Sequence, residues 1–144
     1  MTRFLLDVNV LIALIDRFHV QHDRAHDWFA ASGRDAWATC PLTENGVLRI
    51  VSHPRYPNSP GGPAEVVQSL KVLRALGNYE FWPDDITLFD PHRFDSERLL
   101  ASGQITVTYL LGLACAREGK LATFDRHLVT DAVVNGAQSL HVIL

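Results

Sequence analysis

Three acids in this chain stand where carboxylate chemistry is done. Asp7 ends the apolar run Phe4-Leu5-Leu6, and Asp125 ends a second one, Leu121-Ala122-Thr123-Phe124. Glu44 lies just after Pro41, in the opening of a helix that follows the apolar stretch Ala36 to Cys40. An apolar run of strand length ending in an acid, with a helix pattern straight after it, suits a parallel sheet covered on both faces. In such sheets ligands bind beyond the carboxyl ends of the strands. Taken singly, each acid has a plainer role. Asp7 or Asn9 suits a helix cap, and Glu44 suits the positive end of a helix dipole. Taken together, carboxylates at three strand-to-helix junctions repel one another unless a cation offsets them. Oxygen donors without thiolates suit Mg²⁺ or Mn²⁺. Such a site makes water nucleophilic and steadies a phosphodiester under attack.

Other chemistry-bearing residues are weaker pointers. His22 and His26 are four apart on one helix face, a spacing that binds zinc in fuller motifs. Asp23 and Asp27 are nearby, but no Cys completes a site, and a solvated face is expected. Arg49, Arg55 and Arg126 follow the acids in sequence and suit phosphate oxygens. Ordinary surface charge explains each of them equally well. There is no Ser-His-Asp or Cys-His arrangement. Asp7-Val8-Asn9 partly imitates an aspartyl-phosphate site, which normally also wants a well-placed Lys, and the chain has only Lys71 and Lys120.

The elements that position these residues alternate. Helices are predicted near Asn9–Asp16, Gln21–Ala31, Pro41–Val51, Ala64–Leu76 and Gln104–Glu118, from apolar residues at helical spacing. Strands are predicted at Phe4–Leu6, Ala36–Cys40, Glu80–Pro83, Leu121–Asp125 and Leu140–Leu144. His53 to Pro63 carries four prolines and a Gly pair and cannot be regular structure. The alternation implies an α/β fold, a three-layer α/β/α sandwich on a mostly parallel sheet.

The chain has 144 residues, enough for one domain (1–144) with a proper core. A net charge of −3 excludes a generally basic nucleic-acid binder, so any such contact is local or metal-assisted. No stretch has the length of a membrane span and no signal peptide is visible, so a cytoplasmic protein is expected. Cys40 and Cys115 read as buried free thiols. Leu14, Phe18, Trp28 and Phe29 offer apolar surface for a partner.

The ordered combination of motifs resembles the PIN-domain ribonucleases of the VapC toxin type. The matching stretches are Leu5-Leu6-Asp7-Val8-Asn9-Val10, Thr43-Glu44-Asn45-Gly46, His53-Pro54-Arg55, Glu80-Phe81-Trp82-Pro83-Asp84-Asp85, Gln104-Ile105-Thr106 and Leu121-Ala122-Thr123-Phe124-Asp125-Arg126. The resemblance implies a PIN-like fold and a metal-dependent (Mg²⁺ or Mn²⁺) endoribonuclease toxin. It also implies a VapB-like antitoxin, an RNA substrate and a homodimer. By position, Asp7, Glu44 and Asp125 match metal-site acids, and Asn9 and Thr123 match their supports. The chain departs from the pattern at Val107, where the family usually has Asp after Ile-Thr. Two other readings follow: a non-catalytic antitoxin-binding module, and an aspartyl phosphatase-like enzyme using Asp7.

Overall fold

The computed structural model describes residues 1–144. Five strands form one sheet: β1 (Phe4–Leu6), β2 (Trp37–Thr39), β3 (Tyr79–Phe81), β4 (Lys120–Thr123) and β5 (Leu140–Val142). Their order is β3-β2-β1-β4-β5, and every pairing is parallel. The helices are α1 (Val8–Ile15), α2 (His22–Ala31), α3 (Pro41–Val51), α4 (Pro63–Arg74) and α5 (Ile105–Ala116).

Side-chain alternation along the strands sorts the core into two layers. On one face Leu6, Trp37 and Ala122 pack with α1 to α4 in a cluster of 17 buried residues. On the other, Leu5, Ala38 and Leu121 pack with α5 in a cluster of 12. This is the expected three-layer α/β/α sandwich. No helix is long and apolar enough to cross a membrane.

The helix α5 is apolar all round, with Thr108 to Ala114 buried without a break. A helix of that kind needs cover on both sides. The sheet covers one side. Phe94, from the irregular segment before α5, presses on Gly112, where a Cβ would sit 2.2 Å from its ring.

Several expectations need correction. The fourth strand ends at Thr123, so Asp125 stands in the turn beyond it and not at the strand end. Chain pairing stops there because Asp125 turns on itself, accepting from His127 N at 2.8 Å. Cys40 is buried, but Cys115 is only half-buried. Of the apolar residues expected at the surface, Leu14 and Phe29 are core and Trp28 is half-buried; Phe18 alone is exposed. The histidine pair is neither a zinc site nor simply solvated. His22 Nδ1 lies 2.7 Å from Ala13 O and His26 Nε2 lies 3.0 Å from Leu14 O. Both rings thereby satisfy carbonyls that the end of α1 leaves without helical partners.

Candidate active site at the carboxyl edge of the sheet

The chain turns left from β1 to β2 and β3, and right to β4 and β5, so the strand order reverses between β1 and β4. The crevice outside the carboxyl ends at such a reversal is where open α/β sheets bind ligands. Asp7 follows β1 there, and Thr123 ends β4 beside it.

Asp7 is 6% exposed and is the N-cap of α1; its Oδ1 accepts from Val8 N at 2.8 Å. Its Oδ2 accepts from the Thr123 hydroxyl at 2.8 Å. Burial pushes the Asp7 carboxyl up from its ordinary value, and the nearby Asp125 charge adds to that. The bonds from Thr123 and Val8 work in the opposite direction. Asn9 clamps the end of β4. Its Nδ2 donates to Thr123 Oγ1 at 3.2 Å, and its Oδ1 accepts from Phe124 N at 3.4 Å. Thr123 Oγ1 also accepts from the backbone N–H of Asp125 at 3.1 Å, which fixes the turn after β4. One hydroxyl thus joins the Asp7 carboxylate to the backbone of the turn that carries Asp125.

Glu44 sits in the first turn of α3, half-buried. It is held towards β2: Thr39 Oγ1 donates to Glu44 Oε2 at 2.8 Å. The Thr39 hydroxyl has one proton, so Tyr79 O–H, 2.6 Å away, donates to Thr39. Burial raises the Tyr79 phenol above its ordinary value, and the Glu44 charge adds to this. Tyr79 escapes sequence reasoning because its bond to Thr39, and through it to Glu44, exists only across the paired strands β2 and β3. Asp84 escapes it too. Its Oδ2 accepts from Leu42 N at 3.0 Å and caps the start of α3 from outside.

The donors suit a hard cation in kind, all of them oxygens at one sheet edge. Asp7 and Asp125 form a like-charged pair that a cation would relieve. The fit stops at that pair: no group of three or more His, Cys, Asp or Glu is close enough to hold a metal ion. Val107 is the third residue of α5, half-buried, and brings no charge. Thr106 is exposed, and the buried Thr108 hydroxyl has no hydrogen-bond partner.

The arginines divide. Arg126 follows Asp125 on the carboxyl edge. Arg49 lies in the last turn of α3, and Arg55 in the loop after it, so α3 carries both away from that edge. The lysines argue against a phospho-aspartate site. Lys120 pairs with Phe4 at the opposite ends of β4 and β1 from Asp7, and Lys71 projects from α4.

No family model matches the chain. Ribonuclease VapC44 of Mycobacterium tuberculosis is 41% identical over 140 residues, 97% of each chain. Ribonuclease VapC38 of the same organism is 40% identical over 126 residues, 88% of this chain and 87% of that one. Among solved structures, M. tuberculosis VapC20, a Sarcin-Ricin loop cleaving toxin, aligns with a TM-score of 0.63 at 11% identity, covering 92% of this chain and 97% of that one. A chain of VapBC2 from Rickettsia felis, solved with a DNA fragment of its promoter, aligns with a TM-score of 0.54 at 11% identity over 85% and 88%. The structural likenesses establish the fold, and the sequence relatives establish more: the chain belongs to the VapC ribonuclease family of PIN-fold toxins.

Proposed function

We propose that the chain is the toxin of a VapBC-type pair and an endoribonuclease whose metal-dependent site is centred on Asp7 and Asp125. The observation that carries this reading is the buried Asp7 carboxylate at the reversal of strand order, bonded to Thr123 at the end of the strand from which Asp125 follows. Asp7 and Asp125 would hold Mg²⁺ or Mn²⁺, with Glu44 adding negative charge from the neighbouring strand end. The chemistry so supplied is a water of lowered pKa and a counter-charge for the phosphodiester. The chain's own residues do the rest. Thr123 orients the Asp7 carboxylate and accepts from the backbone N–H of Asp125. Asn9 fixes Thr123 and the backbone of Phe124 against α1. Asp7 is pre-set by the N–H of Val8, so its carboxylate needs no rearrangement to act. Arg126 is placed on the same edge to meet a phosphate oxygen. Arg49 and Arg55 serve, on this reading, along the flank of a longer RNA.

In the same reading a VapB-like antitoxin covers this edge, and the toxin works as a homodimer. A second reading has its own support: Val107 and the absence of a third close ligand favour a binding module with weak chemistry. Cleavage of single-stranded RNA under Mn²⁺ titration, with EDTA as control, separates them. Metal-dependent internal cuts support the enzyme. Antitoxin binding with no cleavage at any Mn²⁺ level supports the module.

A further inference from the structure

A cleft opens beside β2, between α1, α3 and α4, at the margin of the packed layer. The space in it open to water-sized groups is about 120 Å³. Trp37 and Thr39 of β2 line it together with Leu11, Leu48 and Leu70. Apolar walls with a few convergent polar groups mark the usual ligand site. The polar groups are of two kinds. Glu44 and Thr39 belong to the hydrogen-bonded chain that Tyr79 begins. Lys71 and Arg74 are exposed cations at the same cleft.

Neither cation makes a close ion pair, although Glu44 lines the same cleft. The ion pairs of the molecule are Arg3–Glu80, Arg93–Asp90, Arg98–Asp95 and Arg117–Asp85. The Arg74 guanidinium is instead steadied over the Tyr79 ring, 5.2 Å from its centroid. In a chain of net charge −3, two unpaired cations beside an apolar cleft select a ligand with an anionic group and an apolar or aromatic body. Glu44 adds a second demand, since a carboxylate accepts hydrogen bonds and repels anions. The body of the ligand must therefore carry N–H donors. A fatty acid meets the first demand and fails the second. A nucleotide meets both: it has a phosphate, a planar body and amino or imino donors on the base edge.

We infer that this cleft takes one unstacked nucleobase of the RNA strand, with its phosphate on Lys71 and Arg74 and its base edge towards Thr39 and Glu44. The inference rests on the ribonuclease reading and deepens it. Bases of single-stranded RNA splay into such pockets, whereas paired bases do not. Glu44 belongs to both the cleft and the carboxyl edge, so a nucleotide seated here adjoins the candidate acids. The cleft then makes cleavage selective for an unpaired base at a set distance from the cut.

The test is metal-free binding. The full chain in EDTA is titrated with AMP, GMP, CMP and UMP by amide NMR, and with a short single-stranded RNA by fluorescence anisotropy. At least one monophosphate is expected to shift Leu11, Trp37 and Leu70, while inorganic phosphate leaves them unmoved. Lys71→Ala with Arg74→Ala, both at exposed positions, is expected to weaken RNA binding about tenfold and to lower the salt slope by about 1–2. Val67→Phe, at a half-buried lining position, is expected to abolish monophosphate binding while leaving the salt slope as in the parent. Inorganic phosphate matching the nucleotides, or RNA binding unchanged in both variants, overturns the cleft. A parent that binds monophosphates here but never cleaves RNA in Mn²⁺ overturns the nuclease reading and leaves the cleft standing.

Discussion

The Thr123 hydroxyl donates to Asp7 Oδ2 at 2.8 Å, joining the end of β4 to the acid that follows β1. The same oxygen accepts from Asp125 N at 3.1 Å and Asn9 Nδ2 at 3.2 Å. Its removal leaves a buried carboxylate short of one donor and two donors short of an acceptor. Thr123→Val is therefore expected to cost about 1–3 kcal/mol, read by urea denaturation at neutral pH. Thr123→Ser keeps the oxygen and is expected to recover most of the RNA cleavage that Val loses. Equal stability of Val and parent would refute this role.

Asp7→Asn preserves shape and the acceptor for Val8 N but removes a charge that burial and Asp125 both disfavour. Thermal stability without metal is expected to hold or rise. Mn²⁺ binding by calorimetry and RNA cleavage are expected to vanish. Cleavage at the parent rate would remove Asp7 from the site.

Val107→Asp tests the departure from the family pattern. Residue 107 lies in the first turn of α5, where an acid also suits the helix dipole. The variant is expected to bind Mn²⁺ more tightly, cleave RNA faster and be more toxic in cells. Parent and variant with the same affinity and rate would show that position 107 does not belong to the site.

Gly46 lets α3 lie against α1, and a Cβ there would sit 2.8 Å from Val8 Cγ2. Gly→Ala inside a helix gains up to about 1 kcal/mol in propensity. Overpacking at a β-branched neighbour costs about 1–3 kcal/mol, so the clash wins. Gly46→Ala is expected to lower Tm and to shift Glu44 relative to Asp7, cutting kcat for RNA. A raised Tm would show that α1 and α3 separate freely.

Asp16 pins the proline-rich loop. Tyr56 O–H and Asn58 Nδ2 donate to its Oδ2, and Phe18 N donates to its Oδ1. Although burial pushes the other way, these bonds, led by Tyr56, hold its carboxyl below the ordinary 3.8. A depressed folded-state pKa contributes stability that is present above the unfolded value and is lost as pH falls through the folded one. Tyr56→Phe is expected to cost about 1–2 kcal/mol at pH 7. The gap between the variant and the parent should close as the pH falls through the unfolded-state carboxylate value, about 4, and on through the lower folded-state value of Asp16. Denaturation curves at neutral and acid pH read this directly, and a gap independent of pH counts against the ionised pair.

The sequence by itself determined the alternation of strands and helices, because periodicity, Pro41 at a helix start and the proline-rich break are local signals. It also put Asp7 and Glu44 at strand-to-helix junctions, and α3 runs over Pro41–Val51 as its pattern requires. What only the tertiary structure decided is which of those junctions meet. Asn9 and Thr123 are 114 residues apart, and their bond exists because β1 pairs with β4 and not with β5. No local pattern encodes that choice of neighbour. The same reason explains Tyr79, whose bond to Thr39 beneath Glu44 exists because β3 pairs with β2. It explains His22 and His26 as well: helical spacing shows that they share a face, but only packing shows that this face meets the open end of α1.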